Sequence, residues 1–510
     1  MAQGILTNTI SYDRFLGGED SQALVENDII VPEDMPDVLN ITAVDAKVIV
    51  NGITSSDGKA QVDGELRLNI LYAADKEKKL AKIDKSIDFT HFLEIEGANP
   101  KCMAFVNARV EHVDFSLINS RKMNVKIILN VSGRAFERDK KDVVVGIQDN
   151  NDIEYLRKSV KFVKTVGQNS AETFLKEQVK IPDGAPKISK ILKTDILIKP
   201  EEPKITDNRV VIQGSVHAHI VYEGEPKNDF GYEECDLNYA NFIEIPDALS
   251  YMNAKTYEEI TEQNITISPD ENGENRVIDV ELVLKTEAAV TEHDETEIPV
   301  DIYGISRNIE PVKEEIEAVD SLDRYKSQAI FKESVEFKNN VKKIVDVIAY
   351  PVLTDYSLSD GKVLLEGIID YNILYVSDDD NVMSTKGELP FKTFVDVTIN
   401  SGELYVDVKI THISYDIMAM KEAEIKFVVD TMVDVFNVAK FNVMIDVKES
   451  DDTRSEGNKH SITIYMVQKD DDLWDIAKRY RTSKEDIINV NELKDERVLA
   501  GTKLIIPNKV

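Results

Sequence analysis

One short pattern occurs three times in this chain and constrains its fold more than any other feature. Residues 62–72 read VDGELRLNILY, residues 212–222 read IQGSVHAHIVY and residues 365–375 read LEGIIDYNILY. In each copy a glycine (Gly64, Gly214, Gly367) precedes a tyrosine (Tyr72, Tyr222, Tyr375) by eight residues, and the glycines stand 150 and 153 residues apart. The chain is therefore built from three long repeats. Within each copy the apolar residues alternate. Leu66, Leu68, Ile70 and Tyr72 point one way, and Glu65, Arg67 and Asn69 the other. That is the period of a half-buried strand. Burying such a face contributes roughly 1.5–3 kcal/mol per large side chain, so it must find a second sheet or a helix to pack on. A glycine inside a strand marks a bulge or a close backbone approach. Turn signals separate the strands, as in SSDGK at 55–59, SPDENG at 268–273 and LSDGK at 358–362. The expected fold is mainly β, with three antiparallel sandwich or barrel repeats.

Further blocks extend the repeat. Leu24-Val25 leads through Ile29 and Val31 to Pro32, and Phe174-Leu175 leads through Val179 and Ile181 to Pro182. Ile330-Phe331 leads through Val335 and Phe337 to Lys338. Downstream, VEHVDF at 110–115 matches ITHISY at 410–415, and the second copy has no clear equivalent. Polar, acidic stretches at about 145–168, about 307–326 and 447–460 read as linkers. The expected units are residues 1–145, 169–310 and 327–446, followed by a tail over 461–510.

Composition narrows the class. With 510 residues, 42% of them apolar, the chain can build several cores. Its net charge of −33 repels phosphate backbones and anionic lipid, so neither nucleic acid nor a membrane surface is expected as a partner. Cys102 and Cys235 cannot make a disulfide framework and fit a reducing compartment. The first residues lack a basic region and an apolar run, so no secretory signal is expected. No stretch approaches the roughly 18 unbroken apolar residues of a membrane helix.

The tail has a different period. IYMV at 464–467 is a short strand. Asp472 can cap a helix carrying Leu473, Ile476, Ala477 and Tyr480, and Ser483 a second helix with Asp486 at the capping-box position. Gly501 opens a turn into a strand at 503–506 that Pro507 ends. This is a small β-α-α-β module.

The tail resembles a LysM domain, through Tyr465, Val467, Asp471, Leu473, Ile476, Ala477, Ser483, Asn491, Leu493, Leu499, Gly501, Leu504, Ile506 and Pro507. LysM modules are typically binders of peptidoglycan or chitin. The resemblance implies a shallow groove between two loops. One is Asp470, Asp471 and Asp472, with Leu473 and Trp474 beside it; the other is Val498, Leu499, Ala500 and Gly501. Asp470 replaces the family glycine and Asp472 the family threonine. Three adjacent carboxylates are costly to desolvate against a neutral sugar, so a protein ligand is expected instead. Trp474, off the apolar face of its helix, reads either as a half-buried packing residue or as an aromatic anchor for that partner.

Three long β repeats followed by one LysM module are similar to the clostridial spore-coat morphogenetic proteins of the SipL type, built from SPOCS domains and a C-terminal LysM. That resemblance implies a mother-cell cytoplasmic protein on the forespore surface. Its partner would be the coat basement-layer ATPase, stage IV sporulation protein A. Two other functions compete. One is a glycan-binding protein of the cell wall or spore cortex, recognising peptidoglycan or N-acetylglucosamine chains. The other is a hydrolase anchored by its LysM module.

The residues offer no catalytic constellation, and no enzyme activity, cofactor or metal is expected. There is no P-loop, G-x-G-x-x-G, H-E-x-x-H or G-x-S-x-G motif. His217 and His219 share a strand face as a metal pair would, but neither sister repeat has them, so they read as an exposed polar face. His112 and His412 stand at matching positions without a nucleophile and read as structural. Asp378-Asp379-Asp380-Asn381 lacks the downstream ligands of a calcium loop and reads as a hairpin turn.

Overall fold

The computed structural model describes residues 4–74, 80–148, 152–225, 229–399, 401–450 and 462–507. The first repeat comprises β1 (Ile5–Ile30), β2 (Val38–Ser56), β3 (Lys59–Ala74), β4 (Leu80–Leu93), β5 (Met103–Asn119) and β6 (Lys122–Ile147). The second comprises β7 (Ile153–Lys180), β8 (Lys187–Pro200), the short β9 (Lys204–Thr206), β10 (Arg209–Glu225), β11 (Phe230–Glu244), β12 (Asn253–Pro269) and β13 (Asn275–Gly304). The third comprises β14 (Asn308–Glu336), β15 (Val341–Ser359), β16 (Lys362–Ser377), β17 (Val382–Asp396), β18 (Glu403–Ala419) and β19 (Glu422–Ser450). Each repeat is a sandwich of two antiparallel sheets, β2-β3-β4 on β1-β6-β5 in the first and the corresponding strands in the others.

The repeated glycine and tyrosine now have physical reasons. Gly64, Gly214 and Gly367 pair directly with Phe89, Tyr239 and Phe391, whose rings lie over them. A Cβ on Gly64 would stand 2.6 Å from the Ile49 carbonyl oxygen, and one on Gly214 2.5 Å from that of Lys199. Tyr72, Tyr222 and Tyr375 are buried at the other end of the same strands. The second repeat does have the downstream strand. Its bulge between Ile260 and Glu262 matches those before His112 and His412, so Glu262 stands where the sister repeats carry histidine.

Two of the expected linkers are strands. Residues 153–168 belong to β7 and 308–326 to β14, each hydrogen-bonded to the last strand of its own repeat. Most of their charged residues lie on the outer side, while Arg324 turns in to pair with Asp434 at 2.8 and 3.0 Å, and one side is buried. Val160, Phe162, Ile316 and Ala318 join Ile10, Tyr12, Val143, Ile298 and Val443 in one cluster to which all three repeats contribute. Midway along β1, β7 and β14 a bulge falls at Leu16, Val166 and Asp320, at equivalent positions in the first two strands and two residues along in the third. A bulge bends a strand and sharpens its twist. One half of each long strand therefore closes its own sandwich, and the other half packs in the shared cluster. Of the third expected linker, 447–450 ends β19 and 451–460 lies outside the described residues.

The three sandwiches meet at a second common centre. Leu71, Val221 and Leu374, from equivalent positions of β3, β10 and β16, pack with Leu80, Phe230 and Val382. The arrangement is a pseudo-threefold one made by a single chain. Its symmetry breaks at a buried ion cluster. Lys193 takes the place of Ala43 and Asp346, opposite Val221, Leu71 and Leu374 respectively. Its ammonium lies 2.7 Å from Asp195, 2.9 Å from Asp346 and 3.7 Å from Asp45. Burial alone would lower its pKa, but the three carboxylates outweigh that and raise it well above the usual lysine value. The Tyr350 hydroxyl donates to Asp45 at 2.8 Å. All three repeats are joined through these side chains.

Candidate binding site on the C-terminal module

The tail forms β20 (Ile462–Met466), α1 (Leu473–Tyr480), α2 (Lys484–Asn491) and β21 (Lys503–Pro507), with β20 and β21 antiparallel. The caps are those the sequence offers. The Asp472 side chain accepts from the Asp475 N–H at 2.7 Å, and the Ser483 hydroxyl accepts from the Asp486 N–H at 3.0 Å. Asn491 acts as a clasp, exchanging two 2.7 Å hydrogen bonds with the backbone of Ile505. Leu473, Ile476, Ala477, Ile487, Leu504 and Ile506 form the core.

The two expected groove loops are neighbours. The Gly501 N–H donates to the Val467 carbonyl at 2.8 Å, and the Val467 N–H donates to the Thr502 carbonyl at 2.9 Å. These bonds seat Val498, Leu499, Ala500 and Gly501 beside the Asp470–Asp472 loop. The three aspartates differ in role. Asp470 is exposed and adopts φ +70°, the left-handed region that explains the family glycine. Asp471 turns inward, accepting from the Tyr465 hydroxyl at 2.5 Å and the Gln468 N–H at 2.8 Å. Those bonds hold its carboxyl below the usual carboxylate range. Asp472 is occupied as the helix cap. Only Asp470 and Asp472 therefore present exposed charge.

Trp474 departs from both sequence readings. It is neither half-buried nor open to a partner, being 4% exposed. Its indole N–H donates to Asp301 at 2.9 Å, and its ring meets Tyr303 edge-on at 4.9 Å between centroids. Leu156, Tyr303 and Ile305 of the second repeat complete the module's core cluster. The tail, set off in the sequence by the polar stretch at 447–460, is docked on the second repeat by these contacts.

The module's exposed apolar residues lie elsewhere. Ile464 and Ile505 stand opposite each other across β20 and β21, on the outer face that also carries Ile462 and Met466. Ile464 is 71% exposed and Leu499 77%. The signal was present in ITIYM and KLIIP, where both faces of a two-stranded sheet are apolar although only one can cover the helices.

Elsewhere, His217 Nδ1 lies 2.9 Å from Asp236, and His219 approaches Asp195 and Asp346. Those three side chains offer ligand atoms within 4.8 Å of one another. The Lys193 ammonium already sits on both carboxylates, so the cation there is the protein's own. His112 Nδ1 lies 2.7 Å from Asp370 of the third repeat, a structural link. Residues 378–381 form the turn between β16 and β17, with Lys342 on Asp380 at 2.6 Å.

The class is thus a scaffold of repeated β-sandwiches carrying a small two-helix module. The SipL, SPOCS domain model matches residues 37–118, 187–268 and 340–418, and the LysM domain model matches residues 465–507. The chain is a protein of the SipL type, with three SPOCS domains and a C-terminal LysM domain. Both are binding-type domains without catalytic machinery, and together they mark a sporulation-related protein with a peptidoglycan-binding-type module. The long strands of the shared cluster, β1, β6, β7, β13, β14 and β19, lie wholly outside the matched segments. No curated protein and no solved structure matches the chain. No helix among the described residues is long and apolar enough to cross a membrane.

Proposed function

We propose that this protein is a non-enzymatic assembly scaffold of the spore coat, working in the mother-cell cytoplasm at the forespore surface. Its three SPOCS domains supply one body, and its LysM module docks the coat basement-layer ATPase, stage IV sporulation protein A. The observation that carries this reading is the exposed apolar surface of the module. Ile464, Met466 and Ile505 lie uncovered on the outer sheet face, and Leu499 projects from the groove loop. Protein partners cover such surfaces, whereas a groove edged by the carboxylates of Asp470 and Asp472 gives a neutral sugar nothing to offset their desolvation. The test is binding of the full chain to the purified ATPase. Ile464→Asp together with Leu499→Asp weakens the complex by roughly 2 kcal/mol or more, the scale of interface hot spots. A second reading is peptidoglycan binding, favoured by the two adjacent groove loops. It requires the full chain to co-sediment with purified peptidoglycan and the double variant to bind the ATPase as before.

A further inference from the structure

We propose that Asp301 and Tyr303 form a socket on the second SPOCS repeat that latches the LysM module to the scaffold through Trp474 and Lys478, fixing the direction in which the module faces. The chemistry of the socket is specific. The Asp301 carboxylate is buried and accepts from the Trp474 indole at 2.9 Å and from the Lys478 ammonium at 2.7 and 2.8 Å. Lys313 completes the set at 3.0 Å. The Tyr303 hydroxyl donates to the Thr482 carbonyl at 2.8 Å, and Arg481 donates to Asn308 at 2.6 Å. Released, the module would leave Asp301 with Lys313 alone and would expose the indole. A buried carboxylate is stable only with its partners in place.

The internal repeat shows that this socket is a particular feature of one site. Bulges at Val145, Val300 and Ile445 set the three last strands in register. Asp301 then corresponds to Gly146 and Asp446, and Tyr303 to Gln148 and Lys448. Only the second repeat combines the carboxylate with an aromatic ring. The three positions lie at equivalent places in the fold, so the choice of site comes from these side chains.

Trp474 is the only tryptophan, so its fluorescence in the full chain reads the latch directly. The wild-type indole is expected to emit at short wavelength and to resist acrylamide. Tyr303→Gln, which installs the residue of the first repeat, and Asp301→Asn are expected to shift emission to the red and raise quenching several-fold. Hydrogen exchange at Ile487 and Leu504 should stay slow in both variants, separating release from unfolding of the module. Independently, a short amine-reactive cross-linker should join Lys313 to Lys478 in the wild type, since both ammonium groups bond one carboxylate. A readily quenched wild-type indole overturns the proposal, as does an emission unchanged by both variants. If a variant unfolds the module, the wild-type cross-link decides, and its absence overturns the latch.

Discussion

At the scale of single residues, the module shows how one motif position can serve fold or function. Asp470 holds φ +70°, which an aspartate tolerates and a glycine adopts freely. Asp470→Gly should therefore stabilise the module by roughly 1 kcal/mol or less, read from urea unfolding followed by Trp474 fluorescence. Asp301 sets the pH range of the docked state. Burial alone would raise its carboxyl, but hydrogen bonds from Lys478, Trp474 and Lys313 outweigh that and hold it below the usual value. A depressed carboxyl contributes stability that is complete above the unfolded value of about 3.9 and is lost as pH falls through the folded one. Trp474 emission should hence stay constant from neutral pH down to the ordinary carboxylate range and change only below it. A transition near pH 6 would assign control to another group.

At the scale of elements, the repeated strand depends on its glycine. The ring of Tyr239 lies over Gly214 and the carbonyl of Lys199 faces it from the other side, so a methyl group has no room. Gly214→Ala should destabilise the second sandwich by about 1–3 kcal/mol, the usual cost of overpacking. Thermal unfolding of the full chain measures this, and an unchanged transition would mean that the strands part without cost. The same elements show where alternation is hard to read. β3 is apolar at every second residue from Val62 to Tyr72. β7 and β14 have buried faces too, but their shared cluster takes only a few side chains from each, and the charged remainder looks like a linker.

At the scale of the molecule, three copies of one sandwich are held by contacts that are not copies. Lys193 has no lysine counterpart in the sister repeats, and it joins Asp195 of its own repeat to Asp45 and Asp346 of the other two. Removing one partner from a buried ionic group strands the rest. Lys193→Met should cost roughly 3–5 kcal/mol in chemical unfolding, and adding Asp346→Val should recover part of that loss. Equal stability of the single variant and the wild type would show the cluster to be solvated. The cluster was not legible in the sequence, because Asp45, Lys193 and Asp346 read as strand residues with nothing to say that their strands converge.

What depends on neighbours along the chain was legible in the residues alone. The period of two made the strands, the caps at Asp472 and Ser483 began the helices, and the eight-residue spacing from glycine to tyrosine revealed three equivalent sandwiches. What depends on distant partners emerged with the packing of the folded chain. Trp474 and Asp301 are 173 residues apart, and no local pattern on either side announces the other. An amphipathic side chain off its helix's apolar face can meet water, a partner or its own scaffold. The choice rests on which surface of the folded chain offers a buried acceptor, and here that surface is the second repeat.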